Sequence, residues 1–360
     1  MVRVAWCVLG PAILAAALRA EEPNDATIDA AVTRGLAWLA AHQEPCGGWP
    51  GDSGHKQEDD YVVYQSAELT RVKGGAQMGV SALAGLAFLA DGHMPDEPKF
   101  GPTLDRAIEY VLGHQTDFGY FEDGGSRMYS HSFATLFLSQ AHGMAPARAE
   151  AIAASLTRAA EFLQQAQNEN GGWRYQPFTV ECDLSVTVCQ VQALRAARDA
   201  GVKVAAGCID RVVDYVRASR IPSGYERGQY WYKIYGRAAC TKTSFTVNAA
   251  AVTSLQSAGK YDEAEFGPAL DAIAAGYELN RQTPRHFYYW YGNYYAAQAL
   301  HAAGGERWRT YWKKLSADLL AHQQEDGRWL NDVGPGDAFA TAVACLLLRV
   351  PAQYLPIFQR

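Results

Sequence analysis

Apolar and polar positions along this chain repeat at helical period in two distinct ways. Segments such as TRGLAWLAAHQ, RAIEYVLGHQ, TRAAEFLQQAQ and DRVVDYVRASR space their apolar residues three and four apart with charged residues between them, the pattern of helices buried on one face. The segments that follow them (GVSALAGLAFLADG, YSHSFATLFLSQAHG, DLSVTVCQVQALRAARDAG, TVNAAAVTSLQSAG, YGNYYAAQALHAAGG and FATAVACLLL) are apolar or small on nearly every face. Helices of that kind must be enclosed by others. Half-buried and enclosed helices therefore take turns along the chain.

The links between them carry a repeat of Gln, then Gly four residues on, then an aromatic two residues further. Gln43-Gly47-Trp49, Gln115-Gly119-Phe121, Gln167-Gly171-Trp173 and Gln323-Gly327-Trp329 all obey it, and the last two copies lie 156 residues apart, three steps of 52. Degenerate copies are expected at Arg220-Gly224-Tyr225 and around Gln282, before the aromatic run that starts at Phe287. Gln at a helix end can bond free carbonyls, Gly permits the reversal, and the ring packs between successive helix pairs, so these residues are staples. Gly92, Gly143, Gly201, Gly259 and Gly304 stand where the enclosed helices need a left-handed cap. Six such pairs predict an all-α fold, an α6/α6 toroid in which enclosed helices form an inner ring. An open solenoid is the alternative, but it would leave an end as apolar as AVACLLLRV without a polar cap.

Composition changes this picture little: 49% hydrophobic and 19% charged residues describe a foldable globular protein and exclude disorder, collagen and a multi-pass membrane protein. The start is different. Arg3, an apolar stretch from Val4 to Leu18 and small residues before Glu21 and Glu22 read as a signal peptide over residues 1–20, with an uncleaved anchor as the alternative, and residues 21–360 as one domain. Removing Arg3 and Arg19 moves the net charge from -6 to -8, which argues against nucleic acid as a partner; export leaves room for peripheral membrane contact. The cysteines that remain (46, 182, 189, 208, 240, 345) read as buried thiols, with a Cys182 to Cys240 bridge as the alternative in an oxidising compartment.

The Gln-Gly-aromatic repeats over residues 25–350 resemble those of the terpenoid cyclase and protein prenyltransferase toroids, and most of all the squalene-hopene cyclase C-terminal-like domain found alone. The resemblance implies checks on the family's chemical motifs, because fold alone does not carry function. The acid motif of class II cyclases, Asp-x-Asp-Asp with a following Thr, falls on Asp183-Leu184-Ser185-Val186-Thr187, so the proton-donating central Asp is replaced by Ser185. A hydroxyl cannot protonate an alkene. The prenyltransferase zinc set would need an Asp where Ala238 stands beside Cys240 and a His where Gly292 stands; Cys46 lacks a thioester segment, and Glu58-Asp59-Asp60 does not continue as a diphosphate motif. No cofactor or metal is therefore expected.

Aromatic residues are concentrated away from the staples: residues 287–295 hold seven and residues 225–235 hold five, together 12 of the 42 Trp, Tyr and Phe. Inner-helix starts converge on the ring axis, which makes Tyr129, Tyr230, Trp231, Lys242, Tyr289, Trp290, Tyr291 and Asp337 candidate ligand-binding residues, with Gln77, Ser185, Arg237, Arg285 and His286 near them. Asp183 and His131 are the candidate catalytic residues, each with a bland alternative: Asp183 as a helix N-cap, His131 as a hydrogen-bonded core histidine, and the aromatics as packing between repeats. The expected ligand is a hydrophobic or isoprenoid-like small molecule. A carbohydrate-active lyase or hydrolase, which would need a pair of cavity acids such as Asp183 with Asp337, and a protein-interaction scaffold are the two alternatives.

Overall fold

The computed structural model describes residues 25–57, 60–63, 75–122, 127–236 and 239–359, with twelve α-helices and one short hairpin among them. Residues 1–20, read from the sequence as a signal peptide, and Asp59, Arg237 and Ala238 lie outside the described residues. The half-buried helices are α1 (Asp25–Ala41), α3 (Gly101–Leu112), α5 (Ala149–Gln165), α7 (Ala206–Ala218), α9 (Glu263–Asn280) and α11 (Gly305–His322). The enclosed helices are α2 (Met78–Ala90), α4 (Arg127–Ala141), α6 (Leu184–Asp199), α8 (Phe245–Ser257), α10 (Phe287–Ala303) and α12 (Asp337–Arg349). Each enclosed helix packs on the next, and α12 packs back on α2; α1 likewise meets α11 and α12. The result is the closed double ring expected from the alternation, with a hairpin of β1 (Gly54–Gln57) and β2 (Asp60–Val63) in the first long link.

The staples repeat in atomic detail. The side-chain amide of Gln43 donates to the carbonyls of Gly47 and, across the gap to the next half-buried helix, Thr103; both bonds are 2.8 Å. Gln115 does the same to Gly119 and Ser155, and Gln167 to Gly171 and Cys208. Gln323 donates to Gly327 and to Ala31 of α1, at 2.9 and 2.8 Å, so the same device that joins neighbours also shuts the ring. The amide oxygen of each Gln in turn accepts from an arginine of that next helix: Arg106, Arg158, Arg211 and, at the closure, Arg34. Gly327 sits at φ +97°, and a Cβ there would lie 2.5 Å from the carbonyl oxygen of Arg34. The indole N–H of Trp49, Trp173 and Trp329 donates to Leu39, Leu163 and Leu319 at the end of the preceding helix.

Two expectations are corrected. The fourth staple is not Arg220-Gly224-Tyr225. Its link is longer; Gly224 and Gly228 both take positive φ, 87° and 84°, but of the two only Gly228 is packed, against Pro268 of α9, and Tyr230 is the buried aromatic, paired through the backbone with Arg220 as Phe121 is with Gln115; Tyr225 is fully exposed. Of the five expected glycine caps, Gly92, Gly201, Gly259 and Gly304 take positive φ, and Gly143 does not. All six cysteines of the described residues are unpaired, Cys182 and Cys240 included.

Candidate functional site

The starts of the enclosed helices meet at one end of the ring, and four of the six begin where a side chain accepts the helix's own backbone amides. Gln77, Asp183 and Ser244 accept from the residue three positions on, and His286 from Tyr288, which satisfies amides that no earlier turn can reach. One turn further in, a second polar side chain binds the staple. The backbone N–H of Trp49 donates to Ser81, that of Trp173 to Thr187, that of Tyr230 to Asn248 and that of Trp329 to Thr341. His131 holds the same place in the second repeat, where Nδ1 accepts from the N–H of Phe121 at 3.1 Å. It is completely buried, and that burial pushes its pKa from the ordinary 6.5 down to about 3.

This has a consequence for acid stability. Because the folded pKa lies below the unfolded one, the contribution of His131 is fully present above pH 6.5 and is lost as pH falls toward 3. Between pH 7 and 4.5 the loss from this one residue is about 2–3 kcal/mol. His131→Asn, which puts the side chain of the fourth repeat into the second, is expected to flatten that part of the profile. Urea midpoints at the two pH values measure it, and an unchanged pH dependence would contradict the assignment.

Asp183 is the centre of a separate network. Its Oδ1 accepts from the Val186 N–H at 2.9 Å and from the Ser185 hydroxyl at 2.6 Å, and its Oδ2 from the guanidinium of Arg174. Both oxygens are thus engaged by donors, one of them the guanidinium of Arg174. Arg174 Nη1 also donates to the Tyr232 hydroxyl at 2.9 Å, the guanidinium lies over the Tyr175 ring at 4.2 Å, and the Tyr175 and Tyr232 hydroxyls are 3.0 Å apart. Burial works against the charge on Arg174, but the charge of Asp183 and the neighbouring tyrosines outweigh it, and the pKa rises. On the other side, the hydroxyls of Tyr129 and Ser185 are 2.9 Å apart, and the Tyr291 hydroxyl donates to the Ser185 carbonyl at 2.5 Å. Burial first, and then the neighbouring ionisable groups, hold Tyr129, Tyr291 and Tyr232 well above the ordinary phenol range, so each is a neutral hydroxyl.

Above Arg174 opens a basin of about 740 Å³, lined by Arg174, Thr179, Val180, Glu181 and Gly236. Lys233, almost wholly buried, points its ammonium at Glu181 Oε2 (3.3 Å), and Arg174 Nε lies 3.8 Å from the same oxygen. The loop carrying Lys233 is fixed by paired backbone bonds between Lys233 and Cys240 and by the Tyr232 carbonyl, which accepts from the N–H of Leu184 at the start of α6.

The structure brings only some of the sequence candidates together. Asp183, Tyr129 and Tyr291 share the network at the axis, with Ser185 between them. On α10, successive residues are a hundred degrees apart: Tyr291 faces the axis with Tyr295, whereas Tyr289 and Trp290 are buried in the wall, their rings 4.9 Å apart edge to face. Tyr230 is a staple, and Trp231 is half-buried with its N–H bonded to the Ser219 carbonyl. Lys242 is exposed and joins the site only through its carbonyl, which accepts from Tyr232. Asp337 accepts from the Asn331 N–H at 2.9 Å and lies 3.6 Å from Arg328, in the last link, and Arg285 pairs with Asp332. The residues that sequence reading passes over are Arg174, Tyr175, Glu181, Tyr232 and Lys233. For Arg174 and Tyr175 the signal is their place directly after the staple Trp173, and for Tyr232 and Lys233 it is the aromatic cluster of residues 225–235.

Comparison with known proteins agrees with this architecture. The squalene-hopene cyclase C-terminal domain family matches residues 8–181. No curated protein sequence matches the chain. The apo type II terpene cyclase MstE from Scytonema superposes with a TM-score of 0.55 at 15% identity, over 92% of this chain and 100% of that one, and the same cyclase is known with geranylgeranyl dihydroxybenzoate as substrate. The α-1,6-mannanase GH76A of Salegentibacter sp. HEL1_6 superposes with a TM-score of 0.63 at 7% identity, over 91% of this chain and 99% of that one, and a D-mannose isomerase with 0.59 at 13%, over 90% and 97%. Repeat chemistry, ring closure and these likenesses agree: the chain is a terpenoid-cyclase-like α/α toroid.

Proposed function

We propose that this chain is an exported toroid that binds a hydrophobic or isoprenoid-like small molecule at the end of the ring where the enclosed helices begin, and that it does so without proton-initiated cyclisation. The observation that carries the reading is the open basin over Arg174, which Thr179, the exposed Val180, Glu181 and Gly236 also line and whose Arg174 ties it to the tyrosine-rich network beside it. An apolar wall with a few convergent hydrogen-bonding groups is the usual make-up of a small-molecule site. The isoprenoid substrate of the cyclase MstE supports the class of ligand. Against acid catalysis stand Ser185 in the position of the proton donor and an Asp183 whose oxygens are both taken by donors. Export rests on residues 1–20.

Solvent extraction of the purified protein followed by mass spectrometry, together with titration by farnesol monitored through tryptophan fluorescence, tests the reading. A co-purified apolar compound or saturable farnesol binding is expected; neither, up to the solubility limit of farnesol, would overturn it. A carbohydrate-active reading is favoured by one observation, the higher TM-score of the mannanase. In this ring, however, the two carboxylates nearest the basin, Asp183 and Glu181, are both drawn to Arg174, which leaves neither placed as an independent acid or base. Release of sugar from α-1,6-mannotriose would establish that second reading instead.

A further inference from the structure

The charges around the basin add a selectivity that the fold does not dictate. Among the described residues, four charged side chains gather at it: Arg174 and Lys233 against Glu181 and Asp183. They cancel. Each cation already has a carboxylate within bonding or near-bonding distance, and Asp183 is wholly buried. The acid that reaches the basin is Glu181, whose side chain is 29% exposed, so an anionic head would meet a carboxylate before it met an unpaired cation. The groups that stand beside Arg174 are neutral: the Tyr175 and Tyr232 hydroxyls, 3.0 Å apart, with burial first and then the charge of Asp183 holding Tyr232 as a phenol.

Resting on the proposed ligand-binding role, we infer that the site takes an apolar molecule with an uncharged, oxygen-bearing head, an alcohol or a carbonyl, and discriminates against a diphosphate. Glu181 is the specificity-determining residue. It cancels Lys233 and shares Arg174 with Asp183, and it packs closely on the loop that carries Lys233: a Cβ on Gly236, at φ +100°, would lie 2.7 Å from Glu181 Oε1. Specificity is a difference of affinities, and a like charge at the head position is the repulsive element that produces it.

The experiment compares farnesol with farnesyl diphosphate, in the intact protein and in Glu181→Gln, by competition and by direct titration at low and moderate salt. In the intact protein farnesol is expected to bind at least about tenfold tighter than the diphosphate. In Glu181→Gln, where Lys233 and Arg174 keep their charge and lose that partner, diphosphate affinity is expected to rise about tenfold or more relative to that of farnesol. Circular dichroism and the thermal midpoint show whether the variant is folded, and Glu181→Asp, which keeps the charge, should keep the preference. Equal or tighter diphosphate binding by the intact protein overturns the inference while leaving ligand binding standing; so does an unchanged preference in a folded Glu181→Gln. If neither compound binds, it is the underlying function that fails.

Discussion

Gly327→Ala is expected to cost about 3–5 kcal/mol and to lower the thermal midpoint by about 10 °C. Two effects add. Residue 327 is at φ +97°, where a side chain is strained whatever its surroundings, and the new Cβ would be placed 2.5 Å from the backbone oxygen of Arg34, which cannot rotate away as a side chain could. Gly92 provides the control: it too has a positive φ, 86°, but nothing lies within 4 Å of a Cβ there, so Gly92→Ala should show only the backbone cost, about 1–2 kcal/mol. The difference between the two variants, read from urea titrations, isolates the contact that brings α11 against α1. Equal losses would mean that the closing contact is not tight.

Asp183→Ala is expected to be equally damaging, about 3–5 kcal/mol. The substitution removes the acceptor for the Val186 amide in the first turn of α6, removes the partner of Ser185, and strands the guanidinium of Arg174 beside two tyrosines with its nearest counter-charge 3.8 Å away on Glu181. Most of that loss should come from the stranded charge. Adding Arg174→Met to Asp183→Ala is therefore expected to recover much of it, since an apolar side chain of similar length leaves no unpaired ion. A double variant no more stable than Asp183→Ala would show that the damage lies in the helix start instead.

These expectations divide along the line between what the sequence reveals and what it hides. The alternation of half-buried and enclosed helices, and the Gln-Gly-aromatic links, are legible because each depends on residues within one helical turn or one short loop of one another. The arginines that complete the staples are regular too, four residues ahead of the aromatic at Arg34-Trp38, Arg106-Tyr110, Arg158-Phe162 and Arg211-Tyr215. Their partners lie on the previous link, and for Arg34 289 residues away on the last, so their purpose appears only when the ring is closed. The fourth staple is misplaced because Gly224-Tyr225 imitates the motif locally, whereas the aromatic that packs is chosen by Asn248 and Pro268 from other helices. His131 carries the same lesson. A histidine in an apolar helix invites a chemical reading, and only the comparison with Ser81, Thr187, Asn248 and Thr341 gives it the plainer task of holding a backbone amide. For the aromatic clusters, density is visible in the sequence but direction is not: the helix sends Tyr289 and Trp290 into the wall and Tyr291 to the axis.

The bond from Gln323 to Ala31 fixes more than one contact. In a head-to-tail series each pair of helices is turned relative to the last, and the series shuts only if the turns add to a full circle, about one sixth for each of six pairs. The number of repeats is therefore a geometric quantity here. An open array can gain or lose a unit at its end, but excising one pair from this chain would leave Gln323 facing a gap with no carbonyl to reach, and inserting a seventh would force every angle to change. Where the polypeptide starts, by contrast, is arbitrary: with the ends held together at α1 and α12, a chain cut at any other link and rejoined there would describe the same ring.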